Sequence, residues 1–228
     1  MKSSRSPIHQ RRGFSLVELL TVLVIISIVS ALAFEAMGSL GKSDGFNNAT
    51  STMSTLLEQA RAYAMANNTY VFVGIVETDA SQSAGGAQAT GVGRVAMQAF
   101  AAQDGTMNFS ATNLVAIDKL QILNNVDLPS ALTVTSGTLP NRPTADHNID
   151  DAALSVPSAI TSRNFTFSKV IAFDSLGVVH IPTSPQITGF QYLEIDAQPT
   201  NGTVISSKAN ASAIQVDATT GAVTVYRS

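Results

Sequence analysis

Cysteine and tryptophan are absent from the 228 residues, and Asp, Glu, Lys and Arg together make up only 13% of them. Without cysteine there is no disulfide framework, no thiol catalysis, no zinc ribbon and no iron–sulfur cluster. The lack leaves an extracytoplasmic location open and means only that the core holds without staples. Thirteen Lys and Arg against 16 Asp and Glu give a net charge of −3, with no basic run beyond the extreme N-terminus. Binding of nucleic acid by phosphate neutralisation is therefore not expected. There is no G-x-S-x-G, H-E-x-x-H or phosphate-loop string. Of the three histidines, His9 lies in the basic N-terminal stretch, while His147 and His180 are far apart. Nothing brings a Ser-His-Asp site together, so neither an enzyme nor a cofactor is expected. What is present is 45% apolar residues and a mean hydropathy of +0.20, too apolar for disorder and suited to a β-rich, loop-rich domain.

The charge is unevenly spread. Residues 1–13 hold Lys2, Arg5, Arg11 and Arg12 and no acid; removing them leaves 9 basic against 16 acidic residues, a net −7. Phe14 to Phe34 then run for 21 residues with no Lys or Arg and one acid, Glu18. As a helix that run is about 31 Å long, enough to cross a bilayer core. Positives before it place the N-terminus in the cytoplasm and everything after Phe34 outside. Three readings compete: a plain anchor, a secretory signal cut after Ala31-Leu32-Ala33, and a type IV prepilin signal. A carboxylate in an apolar helix costs roughly 2.5–3.5 kcal/mol on insertion scales. Neither an anchor nor a secretory signal has a reason to carry it.

The string GFSLVELLTVLVIISIVSALA, behind its basic leader, resembles the type IV pilin and pseudopilin signature. The resemblance implies cleavage between Gly13 and Phe14 by the membrane-embedded prepilin peptidase, N-methylation of Phe14, and a leader of residues 1–13 left in the cytoplasm. It also implies assembly with other pilins through the N-terminal helix. There Glu18 neutralises the Phe14 amine of a neighbouring subunit in a low-dielectric bundle.

Downstream, Gly38, Gly41 and Gly45 mark a place where the helix bends or loosens, and Asp44 is a candidate cap for a new run. From there Phe46, Ala49, Met53, Leu56, Leu57, Ala60 and Ala64 recur every three or four residues. Asn47, Asn48, Ser51, Ser54, Thr55, Glu58 and Arg61 fill the other side, with Glu58 and Arg61 as an i,i+3 pair. Asn67-Asn68 reads as a left-handed terminus. One long helix, or two collinear pieces, is expected over 14–67. The period then changes. Strands are expected at 69–77, 94–102, 114–123, 131–135 and 190–196, with hairpins over 169–181 and 213–226 and a long variable loop at 137–160.

LLEQARAYAMANNTYVFVGIVE is similar to the helix-to-strand passage of H-type minor pseudopilins and FimT-type minor pilins. FDSLGVVHI and VDATTGAVTVYRS are similar to the late strand-turn-strand segments of that family. The inserts at 78–91 and 137–160 depart from its compact pattern. The expectation is α+β: a long N-terminal helix, membrane-spanning over 14–34 and amphipathic over 35–68, packed on an antiparallel, pilin-like sheet domain at 69–228. The protein is expected to cross the bacterial inner membrane once, with that domain in the periplasm. Asp146, His147, Asn148, Asp150 and Asp151 gather oxygen ligands within six residues. Calcium holds such loops in some pseudopilins, which makes Asp146, Asp150 and Asp151 candidates; EF-hand spacing is absent, and a solvated acidic loop without metal is expected.

Overall fold

The computed structural model describes residues 15–130, 139, 141–151, 154–183, 186–206 and 210–228, with backbone alone at 31–44 and 157–158. The leader, Gly13, Phe14 and the strand expected at 131–135 lie outside the described residues. The chain divides into two units, Met1–Gly41 and Lys42–Ser228.

Helix α1 spans Leu16–Asn67 without a break. The helix runs on through Gly38, Gly41 and Gly45, so no new helix begins at Asp44. Among the described residues no helix is long and apolar enough to cross a membrane.

In the second unit the apolar stripe is buried at all seven positions, with Phe46, Met53, Leu57 and Ala64 at 0% exposure. The helix closes as expected. Asn68 takes φ +50°, the Thr69 N–H donates to Ala64 O at 3.2 Å, and Asn67 Nδ2 donates to Tyr63 O. Arg61 forms no ion pair with Glu58. Its side chain instead lies against two turns at Gly177 and Gly221.

The strands are β1 (Val71–Asp79), β2 (Gly93–Ala102), β3 (Leu114–Ala116), β4 (Gln121–Asp127), β5 (His147–Asn148), β6 (Ser155–Ser162), β7 (Phe165–Phe173), β8 (Val179–His180), β9 (Tyr192–Asn201), β10 (Val204–Ile205), β11 (Ser212–Asp217) and β12 (Val223–Arg227). Their order is β12-β11-β9-β4-β2-β1-β7-β6, antiparallel throughout this path. The fold is α+β. One face carries Val71, Val73, Ile75, Met97, Ile171, Phe173, Ile195 and Ile214 against the stripe of α1. On the other face Phe72, Phe100, Phe165 and Phe167 pack with the segments 103–120 and 155–162. Gly74 leaves the space there: a Cβ would stand 2.7 Å from the Phe167 ring.

Two expectations fail. The strand expected over 114–123 is two strands, because the Asp118 carboxylate takes a backbone place between them and accepts the Ala99 N–H at 2.9 Å. The loop expected over 137–160 contains β5 and most of β6. β5 runs parallel to β9 (His147↔Leu193, Asn148↔Glu194), Ile149 enters the core at 2% exposure, and β6 forms the edge beside β7.

Candidate functional site at the N-terminal helix end

The first turn of α1 is closed by its own side chains. Glu18 N–H donates to Ser15 Oγ at 3.2 Å, and Ser15 N–H donates to Glu18 Oε2 at 3.1 Å. This reciprocal Ser-x-x-Glu box satisfies two of the donors that every helix start leaves open, and it places a negative charge at the positive end of the helix dipole. Glu18 is thus more than a lone charge in an apolar run. Its carboxylate is held at the helix start.

From Leu16 to Val29 the helix is mostly apolar and exposed on every face. Leu16 is 80% exposed, Ile25 60% and Val29 59%. The hydroxyls on this surface bond back to their own helix, Thr21 to Val17 O and Glu18 O, and Ser27 to Leu23 O. With Thr21 and Ser27 turned back on the helix, the surface over 16–29 offers mainly apolar contact. Lipid, or the same surface on other helices, satisfies it; water does not.

Asp146 and Asp151, two of the candidate metal residues, are each tied to backbone N–H groups. Asp146 Oδ2 accepts the N–H groups of Tyr192 and Gln191, which hold its carboxyl below the ordinary range. Asp151 Oδ2 accepts Asn148 N–H and lies 3.7 Å from His147 Nδ1. Asp150 N–H donates to Asn148 Oδ1. Among the described residues no group of His, Asp and Glu forms a metal-holding cluster. Both ring nitrogens of His180 are engaged, by Asp174 at 2.9 Å and Gln186 at 3.2 Å. Burial works to raise the Asp174 carboxyl, yet His180 and the Val178 and Leu176 N–H groups hold it low.

The polar groups that order this segment have no local sequence signal. Arg142, 17% exposed, donates to Glu194 Oε1 at 2.6 Å and lies 3.6 Å from Asp196 Oδ1. Gln215 Nε2 donates to Glu194 Oε2, and Asn148 Nδ2 to Asp196 Oδ2. Arg142, Asn148, Glu194 and Asp196 line, with Asp146 and Asp151, an open cleft of about 380 Å³. Arg94, 6% exposed, is wrapped by the 78–91 insert and donates to Asp79 O, Ala80 O, Gln82 O, Gln88 Oε1 and Asn124 Oδ1.

The described chain thus begins with a capped acidic turn, runs through an exposed apolar stretch of helix over 16–29, and continues into an antiparallel sheet unit. Residues 8–34 match the family model described as the prokaryotic N-terminal methylation motif. No curated protein and no solved structure gave a match. The motif supports a type IV pilin-like precursor, and it implies processing by prepilin peptidase and assembly with other pilins in general.

Proposed function

We propose that the chain is a minor pseudopilin or minor pilin, a structural subunit of a type II secretion or type IV pilus filament rather than a catalyst. The match over 8–34 carries this reading, and the bare apolar surface of α1 supports it. Residues 14–34 sit in the bacterial inner membrane before assembly, with the leader in the cytoplasm and the sheet domain in the periplasm. Prepilin peptidase cuts between Gly13 and Phe14 and methylates the new amine. The helices then leave the membrane and pack side by side, Glu18 neutralises a neighbour's Phe14 amine, and head-to-tail contacts that do not close give a filament. The likeness of 56–77 to H-type pseudopilins and FimT-type pilins supports the minor-subunit assignment.

Mass spectrometry of the mature N-terminus tests this directly. Methyl-Phe14 is expected, whereas an N-terminus at Phe34 identifies a secretory signal and a released envelope protein. Gly13→Leu removes the small residue at the cut, so the leader should stay attached and the chain should remain in the membrane; normal processing on a gel sinks the assignment.

Glu18 can be tested with two substitutions, because its two roles separate. Glu18→Val removes both the charge and the Ser15 box, while Glu18→Gln keeps an acceptor for the box and removes only the charge. Both should insert and be cleaved, since each lowers the cost of a charge in lipid. Crosslinking to partner pilins should weaken in both. Normal crosslinking of Glu18→Gln would leave helix capping as the residue's role.

A further inference from the structure

Glycine follows asparagine once in the chain, at Asn201-Gly202. The pair sits where β9 turns into β10. Asn201 is paired with Val204 and Thr200 with Ile205, which leaves Gly202 and Thr203 as the two residues of the turn. Gly202 takes φ +63° and Thr203 does not take a positive φ, the pattern of a type II′ turn with glycine at its first central position. Every residue from Asn201 to Ser206 is exposed. Neither the Gly202 N–H nor the Asn201 side-chain amide has a hydrogen-bond partner among the described residues. The tip is seated through the Gly202 carbonyl, which fills the space that a Cβ on Gly93 would need, at the start of β2.

The backbone nitrogen that follows an asparagine can reach its side-chain carbonyl carbon and close a five-membered ring. A side chain on the following residue crowds that nitrogen, and glycine has none. Every other asparagine is followed by a residue with a side chain. Several are tied as well: the Nδ2 atoms of Asn67, Asn113 and Asn164 donate to Tyr63 O, Asn108 O and Gly85 O. Asp104-Gly105 is the matching aspartate. Its carboxylate accepts from the Thr106 N–H and hydroxyl, which hold it below the ordinary range, and an ionised carboxylate is a poor target for a nitrogen nucleophile.

We infer that Asn201 is a self-modification site, whose isoaspartyl product unseats the β9–β10 turn from Gly93. The Gly202 nitrogen gives its proton to solvent and bonds to Asn201 Cγ, and the Cγ–Nδ2 bond breaks to release ammonia. Water then opens the cyclic imide at either carbonyl, leaving an aspartate or an isoaspartyl linkage. Water is the one co-reactant, and nothing is oxidised or reduced. Both products add a negative charge to the exposed turn. The isoaspartyl product also adds a carbon to the main chain beside a two-residue turn, whose geometry is set by its length. That displaces the Gly202 carbonyl from Gly93. Because the attacking nitrogen must first lose its proton, the reaction accelerates as pH rises.

Ageing the detergent-solubilised full chain at neutral and at mildly alkaline pH, followed by peptide mass spectrometry, tests the site. A free peptide of residues 198–206 is the reference. Conversion of amide to acid should appear first at Asn201, as mixed aspartyl and isoaspartyl products, and faster at the higher pH. Its rate should stay within about tenfold of the peptide's, since an exposed turn opens at little cost. Hydrogen exchange of the isoaspartyl chain should show protection lost over 199–206, while the β9–β11 pairing at 192–197 and 212–217 holds. Asn201→Gln, at an exposed position, should block both changes, because its longer side chain closes a six-membered ring slowly. Conversion no faster than at Asn67 or Asn164 overturns the site, as does a rate more than about tenfold below the peptide's. Unchanged protection in the isoaspartyl chain overturns the unseating, and so does an equal loss in aged Asn201→Gln.

Discussion

Arg142→Met is expected to lower the unfolding free energy by about 3–5 kcal/mol, the usual cost of removing one partner from a buried ion pair. Glu194 and Asp196 are 5% and 3% exposed, and Arg142 is the cation that reaches both. Without it two carboxylates on alternate positions of β9 stand close together, with the amides of Gln215 and Asn148 donating to them. Those amides stabilise the charge but do not cancel it. The segment 141–151 should then loosen from β9, to which it stays tied by the short β5 pairing, by the Ile149 N–H to Glu194 O and Asp146 N–H to Tyr192 O bonds, and by the side chains of Asp146 and Asn148. Adding Glu194→Gln to Arg142→Met should restore at least half of the loss, since the amide oxygen still accepts from Gln215 and one buried charge is gone. Chemical denaturation of the detergent-solubilised chain measures both. A loss below about 1 kcal/mol would place this cluster with ordinary surface ion pairs.

Which parts of the fold are legible in the sequence depends on the distance between interacting residues. The stripe from Phe46 to Ala64 is readable because its 3.6-residue period is set by one helix face meeting one core. Asn67-Asn68 and the two Asp–Gly turns are readable because their chemistry is contained in four or five residues. β5 has no such signal. Two residues become a strand only because β9, far along the chain, presents a free edge to them. β6 carries Pro157 and little alternation, which suits an edge strand and hides it in a loop-like composition. Arg142 and Glu194 are a pair 52 residues apart, so each side chain reads alone as a solvated charge. The Ser15-x-x-Glu18 box is legible as a capping spacing, but the rarity of an acid in an apolar run draws attention to its charge and away from its hydrogen bonds.

Gly221→Ala should destabilise the sheet unit by about 2–5 kcal/mol, through two separable effects. Gly221 sits at φ +65°, where a side chain costs roughly 1–2 kcal/mol. The added Cβ would also stand 2.1 Å from the Gly177 carbonyl oxygen and 2.9 Å from Arg61 Cδ and Nε, which adds about 1–3 kcal/mol of overpacking. Asp217 and Asp174 each hold their own turn with one carboxylate oxygen, so neither loop can yield without losing those bonds. Gly105 supplies the control. Its φ is +70°, but nothing lies within 4 Å of its added Cβ, so Gly105→Ala should show the backbone cost alone. Asn separates the effects further, because it tolerates the left-handed region but still brings a Cβ. Gly105→Asn should be close to neutral, and Gly221→Asn should lose nearly as much as Gly221→Ala. Equal losses at the two sites would mean that the hairpin turns do not meet at Arg61, and that the C-terminal hairpin is held to α1 by its apolar face alone.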